Sequence, residues 1–346
     1  QESRGLGDVY KRQTGNLQFS APRRVSFDSQ GSMYICDAGN HRVIKTTPNF
    51  EFINKWGSSS RAGDGYFDVI KSVAVNKLTG TIYTLESSDV TSANHRIQKF
   101  DSNGRWIRKW GSYGTANGQM YNARHLAIDE LGYIYVANKE QLNGYDNTNH
   151  RVIVFDWEGN FINKWGKADG TRGTGNGEFS GASGVAVDPY GNIYVSEYEG
   201  SRVQKFTSGG DFIDKWGDNE TKGDGYFRGP AGIYVDSLAG VIYVTEGNSF
   251  TGGTSRVQKF DLIGRYIGEW GSRGSANGQF EFPRGITKAN GYIYICDRNN
   301  NRIQVFTTDG QFVRKFGTSG SGNGQLSAPL DIVPAGGTLY VADYNN

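Results

Sequence analysis

Three adjacent pairs of histidine and arginine are the first places in the sequence where chemistry could occur. A histidine beside an arginine can act as a general base next to a clamp for an anionic group. Three further arginines stand in the same sequence context, but Ser201, Ser255 and Asn301 precede them. A base that serine replaces within the same chain is not essential, so we interpret the histidines as scaffold. The pairs are His41–Arg42, His95–Arg96 and His150–Arg151.

An acidic residue precedes five of these six arginines and could form acid–base machinery with them. One active site would not recur in five copies, whereas an ion pair that holds a loop corner would. We therefore interpret the pairs as structural bridges, with Asn138 in place of the acid in the third copy. The arginines are Arg42, Arg96, Arg151, Arg202, Arg256 and Arg302, and the acids are Asp37, Glu86, Glu197, Glu246 and Asp297.

The arginines belong to a repeated unit of four short apolar segments, which is clearest between Gly177 and Gly217. Alternating apolar residues between glycine-bearing turns predict four antiparallel strands, which we name a, b, c and d. Each arginine begins strand c, and an aromatic residue ends strand d 14 positions later in every copy. This fixed spacing predicts a rigid c–d hairpin. The aromatic residues are Trp56, Trp110, Trp165, Trp216, Trp270 and Phe316.

Variation in length is concentrated in the b–c and d–a connections. The gap between the strand-b tyrosine and the strand-c arginine ranges from 8 to 16 residues. In an antiparallel meander these connections share one end of the sheet, which we call the loop face. Loops on a fixed scaffold tolerate change and carry function, so the loop face is the predicted binding surface. Its longest b–c connections are Ser87–Asn94, Lys139–Asn149 and Gly247–Ser255.

The strand-c phrases NHRVIKT, NHRIQKF, NHRVIVF, SRVQKF and NNRIQVF, each downstream of a segment such as IYVSE, resemble the NHL repeat. The resemblance covers Gly15 to Asn346 and implies a β-propeller, typically six-bladed, that serves mostly as a binding platform. The repeats themselves predict an all-β propeller of four-stranded antiparallel blades. Seven strand-a motifs occur, in six complete repeats and a half repeat that stops at Asn346. A ring with a half-built seventh blade would bury the last hairpin, and a six-bladed closed ring with a leftover hairpin is the alternative.

Residues 1–13 stand apart from the repeats. The segment Asp8–Gln13, DVYKRQ, resembles the translation of a transposon end used as a sequencing adapter. The expected organisation is therefore a non-native tail at 1–13 and a single propeller domain at 14–346, encoded by a metagenomic gene fragment that is cut within the seventh repeat. Cys36 and Cys296 occupy matching positions of distant repeats, so we expect buried side chains without a disulfide.

Cationic residues at the start of strand a indicate a binding site at the mouth of the central channel. Strand a is innermost in a propeller, and its entry lies on the loop face. At one position near the start of strand a, glycine is the commonest residue among the repeats. Arg24, His125 and Asp331 occupy this position in three of the other repeats. A cationic collar would focus positive potential on a carboxylate, a phosphate, an acidic peptide or single-stranded RNA. A solvated rim of mixed charge is the alternative. The collar comprises Arg23, Arg24, Lys71, Arg124, His125 and Arg284, with Tyr145 and Phe250 as candidate loop contacts.

The sequence thus predicts a non-catalytic binding or scaffold protein with a protein or anionic partner, and with no cofactor or metal. Its 37 basic and 35 acidic residues give no global attraction to nucleic acid or membrane, and no run approaches the roughly 20 apolar residues of a membrane helix. A metal-dependent lyase or lactonase-type propeller is one alternative, although only His125 lies off the repeat and zinc needs about three protein ligands. RNA binding, which some NHL domains perform, is another; Tyr113 and Tyr121 could stack bases or contact a protein.

Overall fold

The computed structural model describes residues 15–17, 19–59, 63–87, 94–139, 149–217, 224–247, 254–335 and 338–346. They include six four-stranded antiparallel sheets, which are the six complete blades of a β-propeller. The expectation of an all-β propeller with six complete repeats is confirmed. Helical structure in these ranges is confined to three short 3-10 turns at Gly15–Leu17, Ala38–Asn40 and Arg298–Asn300.

Each of the first three blades runs outward from the channel in the order a, b, c, d. Blade 1 contains β1 (Pro22–Phe27), β2 (Met33–Asp37), β3 (Arg42–Thr46) and β4 (Phe52–Trp56). Blade 2 contains β5 (Ile70–Val75), β6 (Ile82–Glu86), β7 (Arg96–Phe100) and β8 (Trp106–Trp110). Blade 3 contains β9 (Ala123–Ile128), β10 (Ile134–Asn138), β11 (Arg151–Phe155) and β12 (Phe161–Gly166).

The last three blades follow the same order. Blade 4 contains β13 (Ala182–Val187), β14 (Ile193–Glu197), β15 (Arg202–Phe206) and β16 (Phe212–Trp216). Blade 5 contains β17 (Pro230–Asp236), β18 (Val241–Gly247), β19 (Ser255–Asp261) and β20 (Tyr266–Trp270), followed by the short pair β21 (Ser272–Arg273) and β22 (Gln279–Phe280). Blade 6 contains β23 (Pro283–Ala289), β24 (Tyr292–Asp297), β25 (Arg302–Thr307) and β26 (Phe312–Phe316), followed by the short pair β27 (Thr318–Ser319) and β28 (Gln325–Leu326). The half repeat forms β29 (Pro329–Ala335) and β30 (Thr338–Asp343), a two-stranded seventh sheet.

Strand b is the buried middle of every complete blade. All five residues are buried in β2, β6, β10 and β14, because each sheet packs on a neighbour on both faces. This double burial explains why strand b reads as a continuous apolar run instead of an alternating one. Cys36 in β2 and Cys296 in β24 are buried and form no disulfide.

Neighbouring blades are joined where a strand-d tryptophan packs on the c–d turn glycine of the next blade. Gly159 has φ of 85°, and a Cβ atom there would stand 2.3 Å from the Trp110 ring. The Trp110 ring also lies 6.1 Å, between centroids, from both Phe155 of the next blade and Tyr83 of its own. A side chain on the glycine would therefore disrupt the contact. The pairs are Trp56–Gly104, Trp110–Gly159, Trp165–Gly210, Trp216–Gly264 and Trp270–Gly310.

The seventh sheet stands in the ring between blades 6 and 1. Strand β29 contacts both β23 and β1. One face of the hairpin, including Ile332, joins the apolar core of blade 6. The other face packs on blade 1, where Tyr340 joins a core with Met33 and its hydroxyl donates a 2.5 Å hydrogen bond to the Pro48 carbonyl. The half repeat thus occupies a seventh place in the ring with two strands.

Candidate functional site

A β-bulge at the entry of strand a positions the collar residues. In β9, Ala123 pairs with Asn138 and His125 pairs with Ala137, so Arg124 is the extra residue between them. A bulge breaks the ladder and re-aims a side chain. Each inner strand carries this irregularity at the same place, and all six collar residues lie at these bulges and are partly buried.

The two arginines of blade 1 are engaged by the seventh sheet. Arg24 forms an ion pair with Asp331, with 3.3 Å between the Nη1 and Oδ1 atoms. Arg23 donates a 3.3 Å hydrogen bond to the Tyr344 hydroxyl and lies 5.0 Å from the centroid of that ring. Asp331, which the sequence marked only as a departure from glycine, therefore neutralises one collar cation.

Arg284 is held differently from the other collar cations. Its guanidinium lies 4.1 Å from the Phe282 ring centroid and 5.8 Å from that of Tyr198. Among the described residues, no carboxylate pairs with its side chain and no acceptor receives a hydrogen bond from it. Burial, together with the positive charges of Arg298 and Arg124, lowers the pKa of Arg284 to about 10. At neutral pH it remains a cation enclosed by aromatic faces.

Three residues of blades 3 and 4, which sequence reasoning missed, complete this side of the channel mouth. Lys139 follows β10 and forms a 2.8 Å ion pair with Glu199, which follows β14. The Lys139 ammonium also lies 4.3 Å from the centroid of the Tyr198 ring. The same ring contacts the Arg284 guanidinium. Burial lowers the pKa of Lys139 despite the Glu199 charge. We call Arg124, Lys139, Tyr198, Glu199, Phe282, Arg284 and Arg298 the Arg284 cluster.

Glycines of blade 5 let the cluster form across that blade. A Cβ atom on Gly229 would stand 2.9 Å from the Tyr198 ring, and one on Gly232 would stand 2.1 Å from the Arg284 carbonyl. The absence of side chains there allows Tyr198 of blade 4 and the strand that carries Arg284 in blade 6 to approach one another. Glycine is common at this position because the next inner strand lies directly against it.

His125 is a neutral hydrogen-bonding group in the channel. Its Nδ1 atom accepts a 3.2 Å hydrogen bond from the backbone N–H of Val185, so the ring proton is on Nε2. Burial, together with the positive charge of Arg24, holds the pKa of His125 well below its usual range. An imidazole whose basic nitrogen is occupied and whose other nitrogen is protonated is suited to donate a hydrogen bond, not to abstract a proton.

The neutral state of His125 gives a measurable pH dependence. The unfolded chain binds a proton at this histidine with a pKa near 6.5, whereas the folded chain does not, so stability is lost as pH falls below about 6.5. Between pH 7.5 and pH 5.5 the wild type should lose roughly 1 kcal/mol more unfolding free energy than the His125→Gln variant. Urea unfolding of both proteins at the two pH values measures this difference. Parallel pH profiles would show that His125 is protonated in the fold.

The repeated arginines and acids form buried corners of the blades. Arg202 Nε donates to Glu197 at 2.7 Å, and its other nitrogens donate to backbone carbonyls of the preceding d–a loop, including Glu178. Blade 3, which has Asn138 in place of the acid, uses Arg151 to bind the Gln119 carbonyl at 2.7 Å. The same arrangement occurs in Arg42–Asp37, Arg96–Glu86, Arg256–Glu246 and Arg302–Asp297.

The histidines before the arginines contact backbone or hydroxyl groups of neighbouring loops. His150 Nδ1 accepts a 2.9 Å hydrogen bond from the N–H of Gly181 in the next blade. His41 Nδ1 lies 2.5 Å from the Asp68 carbonyl, and His95 Nδ1 lies 3.1 Å from the Ser87 hydroxyl. These contacts fix loop positions, and the Ser87 hydroxyl beside His95 is buried and accepts a 2.9 Å hydrogen bond from the N–H of Ala123.

Two candidate contacts, Tyr145 and Phe250, lie outside the described residues. Tyr113, which is exposed, packs its ring against His95 and against the buried Tyr121. Within the described ranges, no three histidine, cysteine or acidic side chains are grouped closely enough to hold a metal ion. In the same ranges, no helix is long and apolar enough to cross a membrane.

Family models match two parts of the chain, an NHL repeat at residues 179–206 and a 6-bladed beta-propeller at residues 279–333. NHL repeat-containing protein 3 of Homo sapiens is 27% identical over 181 residues, which are 51% of this chain and 49% of that protein. Protein brain tumor of Drosophila melanogaster is 27% identical over 149 residues, 43% of this chain and 13% of that protein. The chain therefore spans about half or less of these relatives. A solved structure of virginiamycin B lyase from Staphylococcus aureus superposes with a TM-score of 0.66 at 14% identity, over 95% of this chain and 94% of that one, which shows the fold alone.

Proposed function

We propose that this chain, a member of the NHL-repeat β-propeller family, is a non-catalytic binding module that holds an acidic group of a protein partner against Arg284 at the channel mouth. The observation that carries the proposal is the Arg284 guanidinium, enclosed by two aromatic rings and paired with no carboxylate of the described residues. A planar guanidinium binds carboxylates through two parallel hydrogen bonds, and aromatic walls fix its plane without using its donors.

Local charge favours an anionic occupant. Arg298 and Arg124 lie close enough to Arg284 to lower its pKa, whereas Arg24 is paired with Asp331, and Lys139 is paired with Glu199. A concave site with excess positive charge attracts anions even though the chain has a formal net charge of only +2. A bound carboxylate would reduce the repulsion among these cations. This reduction would strengthen binding here, and an isolated surface arginine does not provide it.

A protein carboxylate fits the cluster better than single-stranded RNA. RNA-binding surfaces offer aromatic faces on which bases stack. In the Arg284 cluster the Tyr198 ring contacts Lys139 and Arg284, and the Phe282 ring contacts Arg284 and Arg298. Since cations already cover these rings, the cluster supplies charge but little stacking surface.

The test compares two labelled anions by fluorescence anisotropy, hexaglutamate peptide and octauridylate RNA. We expect hexaglutamate to bind the wild type and to bind the Arg284→Met variant at least tenfold more weakly, which corresponds to about 1.4 kcal/mol. Arg105→Met is the matched control because Arg105 is exposed on a c–d turn, at the opposite end of the blades from the loop face. Arg105→Met removes the same charge as Arg284→Met, and its affinity for hexaglutamate should remain within twofold of that of the wild type.

A further variant separates binding from folding. Arg284→Lys keeps the charge but loses the bidentate geometry, so its affinity should lie between those of the wild type and Arg284→Met. Circular dichroism of each variant checks that the propeller is intact. Equal affinity of wild type and Arg284→Met for hexaglutamate would refute the proposal, and tighter binding of octauridylate would identify RNA as the partner.

A further inference from the structure

We propose that Asn117, in the d–a loop that leads into blade 3, is a site of spontaneous modification, at which the side-chain amide is lost and a carboxylate forms. The attacking group is the backbone nitrogen of Gly118. This inference is independent of the Arg284 cluster. It rests on a comparison of this loop with the corresponding loop of blade 6.

The two loops have the same local sequence and the same local structure. Asn117 and Asn277 each lie in the tetrapeptide Ala-Asn-Gly-Gln, and both are exposed. In each loop the N–H of the alanine donates to Oε1 of the glutamine, at 3.0 Å in blade 3 and 3.2 Å in blade 6. The backbone φ is 74° at Gly118 and 78° at Gly278. Sequence, backbone conformation and exposure therefore give the two asparagines the same intrinsic reactivity.

The loops differ in what binds the glycine N–H. In blade 6, Gly278 donates a 2.9 Å hydrogen bond to Oε1 of Gln304, a buried residue of strand c. Blade 3 has Ile153 at this strand-c position, and an isoleucine side chain contains no acceptor. Within the described ranges, the N–H of Gly118 donates to no acceptor. Three further loops follow blade 6, through the pairs Gly65–Gln98, Gly177–Gln204 and Gly225–Gln258.

A glycine nitrogen without an acceptor can attack the preceding asparagine. The nitrogen of Gly118 gives its proton to solvent and forms a bond to Cγ of Asn117, while the Cγ–Nδ2 bond breaks and ammonia leaves with a proton. Water then opens the cyclic imide at either carbonyl, which gives aspartate or isoaspartate. Because glycine has no Cβ atom, nothing on residue 118 obstructs the approach.

The same attack in blade 6 is opposed by the buried glutamine. The nitrogen of Gly278 would first have to leave Gln304, and the amide oxygen of that side chain would then be buried without a donor. Leaving a buried acceptor unpaired costs free energy. The hydrogen bond therefore protects Asn277, and its absence in blade 3 leaves Asn117 reactive.

The modification would change the corner that Arg151 closes. Arg151 donates to the carbonyls of Thr115 and Gln119, on either side of Asn117, at 2.5 and 2.7 Å. In isoaspartate the backbone runs through the side chain and gains one carbon atom, so the spacing of these two carbonyls changes. Both products also add a negative charge to the loop face. The reaction thus alters the predicted binding surface slowly and irreversibly.

The experiment incubates the folded full chain in mildly alkaline buffer and follows deamidation by mass spectrometry of tryptic peptides. Residues 110–124 and 274–284 form separate tryptic peptides, so Asn117 and Asn277 are measured in one sample, and fragment ions assign the modified residue. We expect Asn117 to react at least tenfold faster than Asn277, which corresponds to about 1.4 kcal/mol in activation free energy. In the chain unfolded by guanidinium chloride the two rates should agree, because the local sequences match.

Exchange of the strand-c residue tests the cause of the difference. Ile153→Gln supplies an acceptor and should slow the reaction at Asn117 to a rate near that of Asn277. The new side chain also has a partner, since Oδ1 of Asn138 is buried and accepts no hydrogen bond from the described residues. Gln304→Ile removes the acceptor in blade 6 and should accelerate the reaction at Asn277. Circular dichroism checks that both variants are folded.

Three outcomes would overturn the proposal. They are equal rates at the two asparagines of the folded chain, the same excess rate at Asn117 in the unfolded chain, and an unchanged rate at Asn117 in folded Ile153→Gln. The first two comparisons use the wild type alone, so they do not depend on the folding of any variant. Ile153→Met is the matched control, because it alters the same core position without adding an acceptor for the glycine N–H and should leave the rate at Asn117 unchanged.

Discussion

Replacing Arg202 by methionine is expected to lower the free energy of unfolding by about 3–5 kcal/mol, because the change leaves a buried carboxylate without its cation. Glu197 has a fully buried side chain, and Arg202 Nε lies 2.7 Å from it. Even with this partner, burial raises the pKa of Glu197, which shows that desolvation outweighs the attraction of Arg202. Without Arg202, the folded protein must either bury an uncompensated charge or protonate the glutamate.

The sign of the pH effect follows from this competition. In Arg202→Met the folded-state pKa of Glu197 lies further above its unfolded value, so the variant gains stability as pH falls through the folded-state pKa. The deficit relative to the wild type should therefore be larger at pH 8 than at pH 5. Urea unfolding followed by circular dichroism at both pH values measures it.

Arg151→Met is the matched control for the buried charge. Arg151 occupies the same corner of blade 3 and donates to backbone carbonyls, including those of Thr115 and Gln119, but Asn138 replaces the acid there. Its loss removes hydrogen bonds without leaving a strand-b carboxylate unpaired, because Asn138 holds that position. We expect a cost of about 1–3 kcal/mol, and the difference in unfolding free energy from the wild type should not become smaller at low pH. Equal and pH-independent losses in the two variants would show that the corner acts through its hydrogen bonds alone.

The corners were predictable from the sequence because their geometry is local and repeated. Strand b and strand c are adjacent in the chain and in the sheet, so the positions of Glu197 and Arg202 alone predict that the two side chains face each other. The fixed 14-residue interval to Trp216 likewise indicates a hairpin of constant shape. Because the ion pair recurs in five copies and the interval in six, residues of the repeated scaffold can be told apart from candidate site residues within one chain.

The Arg284 cluster was only partly predictable, since its contacts depend on how the ring closes. The bulge positions of Arg124 and Arg284 are visible in the repeat, and both were named as collar residues. Tyr198 and Glu199 were not, because Tyr198 reaches Arg284 across blade 5 only where Gly229 and Gly232 leave room. A sequence signal exists in the EYEG segment after β14, where a tyrosine and a second acid follow Glu197.

The ion pair between Arg24 and Asp331 could not be predicted from local sequence patterns either. Arg24 and Asp331 both depart from the glycine usual at their position, but they are 307 residues apart in the numbering of the chain. Their 3.3 Å contact exists because the seventh sheet brings β29 beside β1. A collar read from residue types alone therefore overstated the positive charge on this side of the mouth.

Replacing Gly159 by alanine is expected to destabilise the propeller by about 2–5 kcal/mol, which combines two costs. The backbone φ of 85° costs roughly 1–2 kcal/mol for a residue with a Cβ atom. Overpacking against a rigid group adds about 1–3 kcal/mol, since the new atom would stand 2.3 Å from the Trp110 ring that joins blade 2 to blade 3. The rings of Phe155 and Tyr83 limit movement of that indole.

Gly191→Ala isolates the contribution of the tryptophan contact. Gly191 lies in the a–b turn of blade 4 with φ of 80°, and nothing stands within 4 Å of a Cβ atom built there. Gly191→Ala therefore bears the backbone cost alone, roughly 1–2 kcal/mol. Urea unfolding followed by circular dichroism compares the two variants without relying on Trp110 fluorescence. If Gly159→Ala lowers the free energy of unfolding no more than Gly191→Ala does, the blades can shift to admit a methyl group. The tryptophan–glycine contacts would then not be what fixes the spacing of the blades around the channel, on which the approach of Tyr198 to Arg284 depends.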